Sequence, residues 1–280
     1  MLSVLDNVLL GMVISVLLGI VAFNKQALSI SGTLAAILVG AVIYSFGGPG
    51  WFGMLLIFFA TSLFFTRYKA REKQTVVQEF AKGGIRDFWQ VLANGGIAAL
   101  LTLGFFYYDH LIFFFAFAGV IATVNADTWA TEIGITSNRN PRLITNGKRV
   151  PVGTSGAVSS GGIISATLGA LVIALTAVLF YYGPAWISPV NNLANPMIFI
   201  LAITVAGLVG SLADSFLGAT IQAMYYCDKC KKETERLTHY CGTKTRPIRG
   251  IAWFDNDLVN LASSMAGAIL AAAIHIFLKV

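Results

Sequence analysis

SGGIISATLGALVIALTAVLFYY, residues 160–182, contains no Asp, Glu, Lys or Arg and no proline. At a helical rise of 1.5 Å per residue such a run covers about 34 Å, enough to cross the roughly 30 Å hydrocarbon core of a bilayer. Seven further stretches approach this length and polarity: residues 4–23, 28–46, 50–66, 90–107, 109–124, 197–220 and 256–278. The whole chain agrees with them. Of its 280 residues 56% are hydrophobic and 11% charged, whereas soluble domains carry about 25% charge. So few charges cannot cover so much apolar surface in water. An ordinary cytosolic enzyme, a disordered tail and a secreted disulfide scaffold are excluded. The sequence reads as an all-α, polytopic membrane bundle of about eight transmembrane helices in a single domain, 1–280. MLSVLDNVLL at the N-terminus has no basic residue ahead of its apolar run and reads as a retained helix.

Charge distribution gives the eight-span reading a test. With eight spans, the connections after the first, third, fifth and seventh lie on one side. They hold every Lys and Arg except Lys279. The positive-inside rule makes that side cytosolic. Both termini then face outward, and three long cytosolic loops cover about 67–89, 125–159 and 221–255. The expected location is the plasma (inner) membrane, crossed many times. The net charge of +6 reports this topology and not a nucleic-acid partner. Tyr108 and Asp109 alone separate the fourth and fifth stretches, as in a tight helical hairpin or a helix that does not fully cross. Residues 67–88 suit an amphipathic helix on the cytosolic surface, with Val76, Val77 and Phe80 toward lipid.

Five of the thirteen acids lie within or just outside apolar spans: Asp127, Glu132, Asp214, Asp255 and Asp257. A carboxylate there is costly unless partnered. All five fall near the cytosolic ends of helices, joined by Asn94. Ser211, Asp214, Ser215, Gly218 and Gln222 share one helical face, and Asn256, Asn260, Ser263, Ser264 and Gly267 form a second stripe. In NADTWATEIG, residues 125–134, Asn125, Thr128 and Glu132 share a face beside that of Asp127 and Thr131. Such stripes serve either as small-residue packing faces or as walls of a hydrophilic pocket open to the cytosol.

Carboxylates with Asn side chains are hard oxygen ligands suited to Mg²⁺. Beside them runs the basic, Gly-rich loop RLITNGKRVPVGTSGAVSSGG, 142–162. Its Arg142, Lys148 and Arg149 are phosphate partners, and Thr154 lies within the same flexible backbone. The loop contains neither GxxxxGK[ST] nor GxGxxG. Acids for metal and bases for phosphate on one membrane face point to metal-assisted phosphoryl chemistry. An ion- or proton-coupled secondary transporter also uses buried carboxylates. Cys227, Cys230, His239 and Cys241 supply four tetrahedral zinc ligands for a structural knuckle, the alternative being three reduced thiols without metal.

QVLANGG at 90–96, NADTWATEIG at 125–134, the 142–156 loop, GLVGSLADSFLGATIQ at 207–222 and DNDLVN at 255–260 resemble the phytyl-phosphate kinase-like integral membrane family. The resemblance runs in order along most of the chain. It implies a kinase that moves a phosphoryl group from a nucleoside triphosphate, CTP by preference, to an isoprenoid monophosphate, giving the diphosphate. Asp127, Thr128, Glu132, Asp214, Asn256 and Asn260 match the family's polar positions. On that reading Asp127, Glu132, Asp214 and Asp257 hold Mg²⁺. Arg142, Lys148, Arg149 and Arg246 clamp phosphates, with Thr154, Ser211 and Ser215 lining their site. Asn94, Asn256 and Asn260 orient ligands, and the prenyl tail lies between helices among membrane lipid. Asp255 either joins the metal site or caps the last helix. A nucleotidyltransferase forming a CDP-linked lipid would use the same pocket. A homo-oligomer is compatible with all three readings.

Overall fold

The computed structural model describes residues 4–136, 141–181 and 195–278, so Arg139 and Lys279 lie outside the described residues. Eight helices follow in order: α1 (Val4–Asn24), α2 (Ile30–Arg67), α3 (Ala70–Val77), α4 (Phe88–Tyr108), α5 (Leu111–Gly134), α6 (Ser160–Tyr181), α7 (Pro196–Thr220) and α8 (Asn256–Leu278). Five short strands lie in the loops: β1 (Arg142–Leu143) pairs with β2 (Ala157–Val158), and β3 (Met224–Cys227) is central between β4 (Lys232–Thr234) and β5 (Arg246–Arg249). Seven helices, all but α3, are long and apolar enough to cross a membrane.

The seven helices give eight apolar rods because α2 folds back on itself. Its Gly48 has φ 79° and ψ −177°, a backbone that only glycine adopts readily, and Pro49 follows. The two arms return to the same face. Gly32 abuts the backbone carbonyl of Arg86, whose guanidinium reaches Ser62 Oγ at 2.6 Å, and Arg67 bonds the carbonyl of Lys25 at 2.5 Å. A straight 38-residue helix would hold Gly32 and Ser62 about 45 Å apart. The expected second and third spans are thus the two arms of one hairpin.

Asp109 in the left-handed region (φ 45°) and His110, whose Nδ1 caps α5, make the α4–α5 connection a tight reversal. Helix α5 corrects the sequence boundaries. The expected span ended at 124 with a cytosolic loop from 125, whereas the helix continues to Gly134. No breaker occurs between 125 and that glycine, and Asn125 and Glu132 find partners on neighbouring helices. Helix α3 is shorter than expected, and its Val76 lies against Gly153 of the basic loop and not toward lipid.

Helix α5 is the hub, packing on α2, α4, α6, α7 and α8. Its residues from Phe114 to Ala126 are buried without a break, the all-round apolar pattern of a central helix. Small residues set its distance from its neighbours. A β-carbon at Gly210 would lie 2.2 Å from Thr123 Oγ1, and one at Gly267 would lie 2.0 Å from the same atom. Gly207 similarly meets Ala122 and Ala170. Close backbone approach of this kind drives helix association where lipid removes the hydrophobic difference.

Gly210→Ala is expected to destabilise the detergent-solubilised protein by about 1–3 kcal/mol through overpacking. Adding Thr123→Ala should recover part of that loss. Denaturant unfolding of the two single variants and the double variant measures the coupling.

Candidate functional site

Thr123 fixes the register of the site. Helices α5 and α7 run in the same direction, and Thr123 lies level with Gly210. One turn further along each helix stand Asp127 and Asp214. Helix α8 runs the opposite way, so Ser263, one turn before Gly267, comes to the same level. Ser263 Oγ donates to Asp214 Oδ2 at 3.1 Å, and Ser211 stands one turn before Asp214 on the same face of α7. The helix register brings the two carboxylates to one level of the bundle. Neither forms an ion pair among the described residues. Two facing carboxylates without a basic partner are costly unless a cation or a shared proton lies between them.

The rest of the 125–134 motif holds the site in place. Asn125 is fully buried; its Nδ2 donates to the Gly169 carbonyl at 2.7 Å, and its Oδ1 accepts from Thr61 at 2.9 Å. Trp129 Nε1 donates to the same Thr61 hydroxyl. Thr128 bonds back to the Val124 carbonyl. Glu132 accepts from Lys73 Nζ and from Thr66 Oγ1, both at 2.6 Å. Lys73 is 2% exposed, so this is a buried ion pair joining α3 to α5. Both Glu132 oxygens are therefore engaged away from Asp127 and Asp214.

Asp257 likewise pairs with Lys82, which also binds Asp87 at 2.8 Å. Burial opposes charge on Asp87, but Lys82 and the Gln90 N–H outweigh it and hold the carboxyl below its usual range. Asp257 Oδ1 is buried without a hydrogen-bond partner. Asp255 caps α8 by accepting from Leu258 N at 3.1 Å.

Toward the basic face, a cavity of about 410 Å³ opens among Gln222, Glu235, Arg236, Asp255 and Asn256. Asn260 accepts from Ser263 and Ser264 through its carbonyl. Ser215 lies on the α7 face that carries Ser211 and Asp214. Arg142 lies exposed in β1 and Lys148 and Arg149 in the exposed turn after it, and Arg142 bonds the Gly147 carbonyl. Thr154 is used locally, donating to the Pro151 carbonyl. Arg246 pairs with Asp228 at 3.1 Å and lies over the Tyr226 ring. Asn94 lines a different, apolar cavity.

Sequence reasoning missed Glu235, Arg249, Lys73, Lys82 and Arg86 as parts of the site's surroundings. Glu235 accepts from Ala81 N and Gln222 Nε2, each at 2.9 Å, and burial pushes its carboxyl above the usual range. Arg249 reaches the Ser155 carbonyl and leaves Nε unpaired. Glu235, Lys82 and Arg86 sit in loops, Lys73 in the short helix α3 and Arg249 in β5, where spacing carries no signal. Only long-range contacts identify them.

The candidate metal-ligand atoms of Cys227, Cys230, His239 and Cys241 lie within 4.8 Å of one another. Cys227 Sγ is 3.7 Å from Cys241 Sγ, close to the roughly 3.8 Å edge of a zinc tetrahedron with 2.3 Å Zn–S bonds. His239 Nδ1 faces Cys241 Sγ at 3.1 Å, while Nε2 meets Glu79 at 3.0 Å. A histidine ligand oriented by a carboxylate behind it is common at zinc sites. Bonds from Thr243 and His239 bring the Cys241 thiol down to about 5, toward the thiolate that a metal requires. The donor set fits a closed structural zinc site.

Purified protein is expected to carry one zinc per chain by elemental mass spectrometry. Cys227→Ser should lose it, and Glu79→Gln should weaken retention against a chelator about 10-fold or more.

The integral membrane protein DUF92 family model matches residues 13–268. The chain is 32% identical to Protein PGR of Arabidopsis thaliana over 97% of this chain and 98% of that protein. It is 25% identical to the uncharacterized membrane protein MJ0933 of Methanocaldococcus jannaschii, over 97% and 95%. It is 27% identical to Protein VTE6, chloroplastic, of Arabidopsis thaliana, over 90% of this chain and 66% of that protein. No solved structure gives a significant match. A helical bundle of this hydropathy, matched along nearly its whole length, belongs to the DUF92 family of integral membrane proteins.

Proposed function

We propose that the chain is a membrane-embedded kinase that transfers a phosphoryl group from a nucleoside triphosphate, CTP by preference, to an isoprenoid monophosphate. The observation that carries this reading is the Asp127–Asp214 pair, two facing carboxylates with hydroxyl partners only, beneath a polar cavity on the basic face. Such a pair fits Mg²⁺, which when bound would neutralise phosphate charge. Likeness to Protein VTE6 and the phytyl-phosphate kinase-like motifs supports the substrate class.

The residues divide the work accordingly. Asp127 and Asp214 are the metal ligands, and Ser211 and Ser263 orient them. Glu132 and Asp257, proposed as ligands from the sequence, take positioning roles through Lys73 and Lys82. Asn256 and Glu235 line the nucleotide cavity, with Asn260 and Ser215 on its flanking helices. Arg142, Lys148 and Arg149 present cations at its rim. The acceptor phosphate is largely dianionic above its second pKa of about 6, so it attacks without a general base from the protein. Charge neutralisation and alignment are what the site supplies. The basic face is cytosolic by the positive-inside rule, and both termini face outward from the plasma membrane.

Purified protein incubated with Mg²⁺, CTP and geranylgeranyl monophosphate is expected to yield CDP and the prenyl diphosphate by mass spectrometry. Asp127→Asn and Asp214→Asn should each lower turnover by about 10²–10³-fold while remaining folded. The rate should rise with pH through about 6 as the acceptor loses its second proton. Pyrophosphate with a CDP-lipid would indicate a nucleotidyltransferase. Solute-coupled proton flux in proteoliposomes without turnover would favour transport, in which the same acid pair would carry a proton.

A further inference from the structure

Arg86 is a cation placed at the head of an apolar slot. It is pinned by its backbone: Arg86 N donates to the Ala27 carbonyl, and Ser29 N donates to the Arg86 carbonyl. One guanidinium nitrogen, Nη2, donates to Ser62 Oγ at 2.6 Å. The other, Nη1, is buried without a hydrogen-bond partner. Among the described residues, no carboxylate lies within ion-pair distance of Arg86. Glu132 is close enough to act on it electrostatically but is held by Lys73 and Thr66. Buried guanidinium groups are normally paired, because an uncompensated charge and a bare N–H are both costly.

The slot itself has a volume of about 90 Å³ and runs between α1, the two arms of α2, and α4. Leu28, Val39, Phe52, Phe59 and Val91 line it, with Asn94 near the Arg86 end. Along α1 its lining extends from Ala22 to Ser15, about 10 Å from the basic face toward mid-membrane. A narrow apolar channel headed by an unpaired cation is complementary to one hydrocarbon chain with an anionic head. Its volume of about 90 Å³ admits only the few carbons of one chain next to the head, so two chains do not fit side by side and the rest of a long chain lies among lipid. Ser62 adjoins Thr61, whose hydroxyl bonds Asn125, two residues before Asp127. The cation is therefore a short chain of contacts from the acid pair.

We propose that this slot binds the chain of a single-chain lipid monophosphate whose head is gripped by Arg86 and Asn94. Its identity as the acceptor isoprenoid monophosphate rests on the function proposed above; its charge and single-chain character do not. Binding is measured without nucleotide or Mg²⁺, using geranylgeranyl monophosphate on purified protein in nanodiscs. Arg86→Gln is expected to weaken binding at least tenfold and to leave geranylgeraniol binding unchanged. Arg86→Lys should recover part of the loss. Ala36→Phe, which fills the slot, should weaken both ligands. A photoreactive geranylgeranyl phosphate should label α1, α2 or α4, and dipalmitoyl phosphatidic acid should not compete.

Wild-type affinity in folded Arg86→Gln and Ala36→Phe, labelling confined to other helices, or full competition by phosphatidic acid would each overturn the slot. Binding that follows Arg86 in a protein without kinase turnover would overturn the kinase reading and leave the slot standing. Undiminished turnover and KM in Arg86→Gln would do the reverse.

Discussion

The contact of Gly210 and Gly267 with Thr123 is the constraint on which the rest of the site depends. In lipid, helices gain little by hiding apolar surface from one another, so their separation follows side-chain size at the contact. Two glycines against one threonine hold α7 and α8 close to α5. Because α5 and α7 are parallel, that single level determines the next turn, and Asp127 meets Asp214 there. Because α8 is antiparallel, the same level delivers Ser263 to Asp214.

A second layer of interactions anchors the basic face around this pair. Lys73–Glu132 ties α3 to α5, and Lys82 ties the segment before α4 to the start of α8. Glu79 gathers four further contacts: His239, Lys232 and, through its carbonyl, Thr234 and Glu235 N. The Cys3His cluster is thus fastened to the chain between α3 and α4 and not only to its own strands. Metal in the knuckle would stabilise the same segment that supplies Ala81 N to Glu235. Removing the metal would therefore reach the cavity through backbone position, without any metal contact to substrate.

The acids of this protein serve two different ends. Glu132, Asp257 and Asp87 are matched to lysines and organise loops. Asp127 and Asp214 are matched to each other and to hydroxyls. A matched ion pair is complete within the protein, whereas a pair of like charges is complete only with something added. The same logic applies to Arg86, a cation without an acid.

Composition and hydropathy alone determined that this is a helical membrane protein with its basic residues on one face, because transfer of apolar helices and exclusion of charge are local properties of each segment. Local pattern also determined that Asp127, Asp214 and the serines beside them share helical faces, and that three cysteines and a histidine could close on one metal. The hairpin within α2 was visible as two apolar stretches, but the seam at Gly48 required the backbone conformation. Only the tertiary structure decided which acids are partnered. Glu132 and Asp127 look alike in sequence, five residues apart on one helix, yet one meets a lysine from α3 and the other meets an aspartate from α7. Partner choice depends on helix direction and register across the bundle, and no local periodicity encodes either.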